Sequence, residues 1–206
     1  MNYSSKYIEN AVNAFASLPG IGKKTALRLV LHLLKEDTAK AESFGDAIVR
    51  MRKEVKQCTR CCNISDTDVC IICSNPARNN GQICVVENLR DLMAIENTGI
   101  YNGLFHVLGG VISPIDGIRP EQLNIDKLVE RVKSENIKEV IMALNPTMEG
   151  DTTIFYISRM LKDCRVQLSS IARGVAFGGE LEYTDELTLA RSITTRMPYE
   201  KYIVSK

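Results

Sequence analysis

The sequence predicts an α/β protein with N-terminal helices, a four-cysteine module, a mostly parallel sheet flanked by helices, and a C-terminal extension. Three observations predict it. Apolar residues recur at helical spacing before residue 57, two close cysteine pairs follow, and short apolar runs alternate with amphipathic stretches from residue 82 onward. We divide the chain into a helical region (1–56), a cysteine module (57–79), a sheet domain (80–175) and an extension (176–206).

Two neighbouring segments of the N-terminal region have the apolar periodicity of amphipathic helices. The apolar positions are Tyr7, Ile8, Val12 and Phe15 in segment 6–16, and Ala26, Leu27, Val30, Leu33 and Leu34 in segment 23–35. A third helix is expected at about 39–56. The sequence therefore predicts a pair of helices joined by a short turn, followed by a longer helix.

The turn between the first two helices, LPGIGKKTA at 18–26, has the composition of a phosphate-binding site. Gly20 and Gly22 lack the side chains that would keep a phosphate away from backbone N–H groups at a helix N-terminus. Lys23, Lys24 and Arg28 add positive charge. Backbone donors and cations do not read bases, so we expect phosphate contacts that ignore base identity. A tight turn with glycines for packing alone is the alternative.

The distribution of charge agrees with a polyanion contact in this region. Residues 1–57 hold ten Lys and Arg against six Asp and Glu, whereas the remainder holds sixteen against nineteen. A nucleotide-binding P-loop is excluded, because that motif requires glycine at 17 and Ser or Thr at 24. The sequence has Ser17 and Lys24 instead.

Four cysteines form two C-x2-C pairs eight residues apart, a spacing that lets four thiolates surround one metal ion. The predicted ligands are Cys58, Cys61, Cys70 and Cys73. Zinc suits four sulfur ligands and leaves no open coordination position, so we expect one structural zinc ion per chain. Free cysteines and an iron–sulfur cluster are the alternatives.

We assign no metal-binding or catalytic role to the other cysteines or to the histidines. Cys62 could compete as a zinc ligand, but Cys61 completes the symmetric pair. Cys84 and Cys164 have apolar neighbours typical of core positions. The two histidines, His32 and His106, are isolated from any nucleophile, and no catalytic residue is predicted.

Several motifs in one order resemble the RecR family of recombination mediators. They are the hairpin LPGIGKKTA, the four cysteines, NGQICVVE, VLGGVISPIDGI (107–118), EVIMALNPTMEGDTT (139–153) and GVAFGGELEY (174–183). The resemblance implies a helix-hairpin-helix motif, a C4 zinc finger and a Toprim domain over 80–175. It also implies DNA binding in recombinational repair, a ring-shaped homotetramer, and joint action with RecO and RecF to load recombinase at single-stranded gaps.

The Toprim resemblance raises the question of catalysis. Glu87 ends a strand where Toprim enzymes place a working carboxylate, but Asn145 and Thr147 occupy the place of the metal-binding Asp-x-Asp. Neutral groups lack the charge that attracts Mg²⁺. We therefore expect a non-catalytic protein whose Glu87, Glu149 and Asp151 form an acidic edge for a basic partner such as RecO. A metal-dependent Toprim nuclease or primase-like enzyme using the same three residues is the alternative, and a zinc-stabilised scaffold that binds only protein is a third.

The longest apolar runs, such as EVIMAL at 139–144, are shorter than the roughly 18 residues of a membrane span. The N-terminal sequence lacks the pattern of a signal peptide. We expect a cytoplasmic, nucleoid-associated protein without membrane contact. The four cysteines, which lie between the hairpin and the sheet in sequence, are expected to act as a brace between the two.

Overall fold

A computed structural model describes residues 3–200 of the chain. The chain divides between Val55 and Lys56 into two compact units. Residues 1, 2 and 201–206, which belong to the predicted helical region and C-terminal extension, lie outside the described residues. None of the helices within 3–200 is long and apolar enough to cross a membrane.

The first unit consists of three helices: α1 (Lys6–Ala16), α2 (Lys23–Leu33) and α3 (Thr38–Glu54). The predicted pair of helices joined by a turn is confirmed, and α3 begins and ends close to the expected positions. A small core forms where Val12 of α1 meets Ala26 and Val30 of α2. Tyr7 and Leu34 were expected on the apolar faces, but both are largely exposed.

The cysteine segment has more regular structure than its composition indicates. Strand β1 (Lys56–Gln57) pairs antiparallel with β2 (Ile64–Ser65), and a single helical turn, α4 (Ile71–Ser74), follows the third cysteine. Asp66 and Asp68 lie in the turn between β2 and α4, whereas Ser65 ends β2 and Ser74 ends α4. The segment belongs to the second unit.

The second unit contains a four-stranded parallel sheet. The elements are β3 (Gln82–Val86), α5 (Leu89–Glu96), β4 (Leu104–Val107), α6 (Ile125–Ser134), β5 (Glu139–Ala143), α7 (Met148–Met160) and β6 (Gln167–Ser170). The strand order is β4-β3-β5-β6, with every neighbouring pair parallel. The predicted alternation of four strands and three helices is confirmed.

The central strands of this sheet are buried on both faces, as a parallel sheet covered by helices requires. The largest buried side chains are Ile83, Leu104, Phe105, Leu128, Met142 and Ile157. Asn88 caps α5 through its side chain, and Thr147 caps α7 in the same way, so each helix begins within five residues of the end of a strand. After β6, a largely exposed segment leads to α8 (Glu186–Thr194).

The strand order places a topological switch point between β3 and β5. The chain leaves β3 for β4 on one side and returns to β5 on the other side. Ligands and partners of open α/β sheets are commonly bound beyond the carboxyl ends of strands at such a point. Glu87 directly follows β3 and Asn145 follows β5 within two residues, so the predicted acidic edge begins at this position.

Candidate nucleic-acid interface and metal centre

The turn between α1 and α2 has the geometry that its sequence predicts. The Ile21 N–H donates to the Leu18 carbonyl at 3.1 Å, which closes the turn directly before α2. Gly20 has a φ of +78°, a conformation that residues with a Cβ rarely adopt. Gly22 is the residue that precedes the first turn of α2, and its backbone is extended.

Glycine at position 22 is not required by the fold itself. Its φ of −81° suits any residue, and a Cβ built at this position would meet nothing within 4 Å. The same space is open beside Gly20. The missing side chains therefore leave the helix end open to solvent, where a backbone N–H can reach an external group.

The N-terminus of α2 presents unsatisfied donors. No side chain caps it, and within residues 3–200 no hydrogen bond is found for the N–H groups of Gly22, Lys23, Lys24 and Thr25. The Ala26 N–H is the first to donate, to the Gly22 carbonyl at 2.9 Å. Four open donors at the positive end of a helix dipole form a favourable position for an anion.

Positive side chains surround these donors. Lys23, Lys24 and Arg28 are exposed, and none of them forms an ion pair with an acidic group in the described part of the chain. Within the described residues of the first unit, Glu36 is the one acidic side chain in such a pair. It contacts His32 and Lys40. The charge at the hairpin is therefore available to an external anion.

The four predicted cysteine ligands converge. The Sγ atoms of Cys58, Cys61, Cys70 and Cys73 all lie within 4.8 Å of one another, and the residues are at most 5% exposed. The Cys61 and Cys70 sulfurs are 3.5 Å apart, too far for a disulfide bond. Four sulfurs around one zinc ion at about 2.3 Å stand about 3.8 Å from each other, so the group fits such an ion. Among residues 3–200 this is the single group of three or more potential ligands.

The local fold explains how the cysteines are positioned. The first pair lies in the turn between β1 and β2, where the Cys62 N–H donates to the Cys58 carbonyl at 3.0 Å. Cys70 precedes α4, and its N–H donates to the Cys58 sulfur at 3.3 Å. Cys62 is buried with a φ of +61° and is absent from the converging group, so it shapes the turn rather than completing the site.

A hydrogen bond and a nearby positive charge stabilise the thiolate form of one cysteine at this centre. A hydrogen bond from Cys61, assisted by the charge of Arg131, lowers the pKa of the Cys73 thiol to about 6. The same shared hydrogen bond raises the pKa of Cys61. Thiolates are the form that binds metal. A zinc ion held by four thiolates would carry two net negative charges, which the neighbouring Arg131 and Arg60 would partly offset.

A charged network joins the cysteine module to the sheet. Arg60 donates to the Cys73 carbonyl at 2.9 Å and to the Glu135 carboxylate at 2.9 Å. Glu135 also accepts from Arg131, at 3.2 Å, and the buried Arg131 donates to the Phe105 carbonyl in β4 at 2.7 Å. In addition, the Val107 N–H donates to the Cys61 carbonyl at 2.8 Å. The cysteine module is thus part of the same hydrophobic core as the sheet.

The Toprim-like edge is arranged differently from a cation site. Asn145 donates its side-chain N–H to the Glu87 carboxylate at 3.0 Å, across the switch point between β3 and β5. A neutral amide therefore satisfies the carboxylate directly. No group of three acidic, histidine or cysteine ligands converges here in the described residues, because the one such group is formed by the cysteines.

The other two predicted acidic residues lie on the first turn of α7. Asp151 accepts a hydrogen bond from Arg173 at 2.7 Å and lies 3.8 Å from Arg191 of α8. The hydrogen bond from Arg173 lowers the pKa of the Asp151 carboxyl group. Glu149 has no ion pair within residues 3–200. Asp151 therefore contacts one arginine shortly after β6 and one in the C-terminal extension, while Glu87 and Glu149 carry the less compensated charge at this edge.

Several residues that matter here were not identified from the sequence. Arg60 and Arg173 have no local pattern that indicates their distant partners. Arg131 and Glu135 are four residues apart in a helical segment, a spacing that predicts a pair, but not the burial of the arginine. Lys35, which lies in the turn directly after α2, was also missed.

Comparison with known proteins agrees with this arrangement. The family described as "RecR, helix-hairpin-helix" matches residues 8–52, the Toprim domain matches 81–172, and the family described as "RecR, C-terminal" matches 174–197. The fold and its two sites thus define a helix-hairpin-helix protein with a four-cysteine metal centre and a Toprim domain.

Curated relatives name the family. The chain is 62% identical to "Recombination protein RecR" of Phocaeicola vulgatus over 94% of this chain and 95% of that protein. It is 58% identical to the proteins of the same name from Flavobacterium johnsoniae (98% of both chains) and Amoebophilus asiaticus (97% of this chain and 100% of the other). The chain belongs to the RecR family.

Proposed function

We propose that the protein is a non-catalytic recombination mediator of DNA repair, which binds DNA phosphates through the α1–α2 hairpin. The observation that carries this proposal is the open N-terminus of α2, with four unbonded N–H groups beside unpaired cations. Gly20 and Gly22 leave room for the phosphate, and Lys23, Lys24 and Arg28 attract it. Such contacts read no bases, so single- and double-stranded DNA of any sequence would bind.

Family membership extends this proposal to the reaction context. Relatives are recombination proteins by name, and the proposed role is to load recombinase at single-stranded gaps together with RecO and RecF. The place of action would be the cytoplasm, on the nucleoid. The absence of catalysis rests on the donor set at the Toprim edge, because Asn145 supplies a hydrogen-bond donor to Glu87 where a carboxylate would be needed to share a cation.

The metal is proposed to be zinc, one ion per chain, held by the four cysteines. The fit rests on the convergence of four buried sulfurs and on the two arginines nearby. Four thiolates leave no open position for a substrate, so zinc would supply folding free energy, of the order of 10 kcal/mol in zinc-finger peptides, rather than reactivity.

The acidic edge formed by Glu87, Glu149 and Asp151 is proposed as the docking surface for a basic partner, with RecO as the expected one. Rim charges of this kind steer association and select partners. Because Asp151 is already paired with Arg173, Glu87 and Glu149 would make most of the contact. Asp151 would act by holding the C-terminal extension beside them.

Assembly as a ring-shaped homotetramer is proposed from two exposed apolar faces, each on its own unit. No residue of α3 is buried, and Phe44, Ile48 and Met51 are exposed along one side of it. The C-terminal extension exposes Phe177, Tyr183, Leu187 and Ile193. Apolar surface of this extent is typical of association sites. A single hairpin offers few phosphate contacts, and four hairpins acting on one DNA molecule would bind far more tightly.

The test is the double substitution Lys23→Ala and Lys24→Ala, measured as DNA affinity against salt concentration. Losing two phosphate contacts should lower the slope of log K against log salt by about 1.8 on duplex DNA. The matched control replaces Lys133 and Lys162, two exposed lysines of the second unit, by alanine. An unchanged slope and affinity in the folded hairpin variant would refute the proposal.

The substitution Gly22→Ala is an independent test of the proposed phosphate contact. The backbone and the open space at this position accept an alanine, so the variant should fold normally. Its Cβ would stand where the phosphate approaches, and DNA affinity should fall without any change of charge. Normal affinity in this variant would contradict the proposed approach to the α2 N-terminus.

A further inference from the structure

A shallow groove runs along the outer face of α2, beyond the hairpin turn. Its lining residues are Lys24, Leu27, Arg28, Leu31, His32 and Lys35. At 100° per residue, Lys24 and Arg28 lie about 40° apart around the axis of α2, and Lys35, in the turn directly after α2, lines the same groove. The three cations therefore form one stripe that starts at the turn and continues to the other end of α2.

Lys35 ends this stripe as an unpaired cation. It lies in the turn after α2, where its N–H donates to the His32 carbonyl at 3.0 Å. Its side chain has no ion pair with any acidic group in residues 3–200, whereas Lys40, five residues later, is paired with Glu36 at 2.6 Å. Glu36 is thus occupied by another lysine, and the charge of Lys35 remains available to a ligand.

The dimensions of the stripe suit a nucleic-acid backbone. Leu34, the C-cap of α2, lies ten residues after Lys24, roughly 15 Å along the helix axis, and Lys35 follows it directly. One strand of DNA carries a phosphate about every 3.4 Å along its axis, so the stripe spans about five nucleotides. Between the cations, the half-exposed Leu31 offers an apolar surface to the sugars.

We propose that the DNA backbone follows the outer face of α2 as far as Lys35, which adds a phosphate contact distant from the hairpin turn. This inference rests on the proposed function, because it extends the path of the same DNA strand. Lys35 also lies at the negative end of the α2 dipole, where a cation stabilises a helix. That structural role alone would affect folding and would leave DNA affinity unchanged.

The experiment compares Lys35→Gln with Lys53→Gln in the full-length protein. Lys53 is an exposed lysine of α3 that forms no ion pair with an acidic group in residues 3–200. Each substitution removes one positive charge from the first unit, but only Lys35 lines the groove. A fluorescent single-stranded homopolymer and a duplex of equal length are titrated at several salt concentrations, and thermal unfolding is measured in parallel. Lys35→Gln should lower the salt slope by about 0.9 on the duplex and about 0.7 on the single strand, with Lys53→Gln unchanged.

A third variant, with Lys24→Gln and Arg28→Gln, separates this inference from the proposed function. If that variant loses affinity while Lys35→Gln binds as the native protein does, the DNA path ends at the turn and the inference is wrong. An equal loss in Lys35→Gln and Lys53→Gln also overturns it, because general charge would then explain both. If all three variants bind normally, the hairpin proposal itself fails.

Discussion

Glu135 directly follows α6. Replacing it with alanine should destabilise the second unit more than replacing any acidic residue within α6. Glu135 compensates Arg131, whose side chain is only 5% exposed, and it also pairs with the more exposed Arg60. Removing one partner of a buried ion pair costs about 3–5 kcal/mol, and an exposed pair contributes about 0–1 kcal/mol. Because Glu135 is itself 24% exposed, water would replace part of the loss. We expect a total of about 3 kcal/mol.

The assay is hydrogen exchange of the zinc-loaded protein in increasing urea, followed by mass spectrometry of peptides from β3 and β4. These buried strands report the free energy of opening of the second unit independently of the first. The control is Glu130→Ala, an exposed glutamate on the same helix, which should change that free energy by less than about 0.5 kcal/mol. If the Glu135 and Glu130 variants lose equal stability, Arg131 does not depend on Glu135, and the argument from burial is wrong.

Two further predictions concern the cysteines and the buried histidine. Cys73→Ser should lose bound zinc and destabilise the second unit, whereas Cys62→Ser should retain one zinc ion per chain, as measured by elemental analysis. The reverse result would mean that Cys62, and not Cys73, is the metal ligand. Burial lowers the pKa of His106 to about 4, below the unfolded value of about 6.5. The unfolded chain therefore binds a proton that the folded chain excludes as pH falls through this window. His106 should cost about 3 kcal/mol of stability between pH 6.5 and pH 4. His106→Gln should lack this loss, and parallel stability curves for the two proteins would contradict the prediction.

Local patterns determined what could be predicted about the fold. The alternation of apolar runs and amphipathic stretches was sufficient to predict four strands and three helices. Strands β3 and β4 are buried along nearly their whole length, whereas β6 is largely exposed and was predicted from its short apolar run alone. The strand order β4-β3-β5-β6 could not be derived from these runs, because an apolar run does not indicate which other strands it pairs with. Tyr7 and Leu34 fit the helical period but are exposed, because the first unit has a core too small to cover them.

For the site residues too, local motifs were predicted from the sequence and contacts between distant residues were not. The two C-x2-C pairs and the GIG turn are short motifs whose geometry follows from local chain conformation, and the structure brings the four sulfurs together. The contacts of Glu87 and Asp151 depend on Asn145, Arg173 and Arg191, which are distant in sequence. The sequence therefore indicated an acidic edge but not that Asp151 is neutralised within its own unit.

The hydrogen bond between Val107 and Cys61 has a consequence for solubility. Strand β4 is the outermost strand on its side of the sheet, and an uncovered outer strand can recruit a strand of another molecule and start aggregation. The cysteine module lies against this strand and uses the Val107 N–H. Loss of zinc would therefore do more than loosen a small module. It would expose the outer strand, and chelated protein should aggregate at concentrations where the metal-loaded protein remains dispersed.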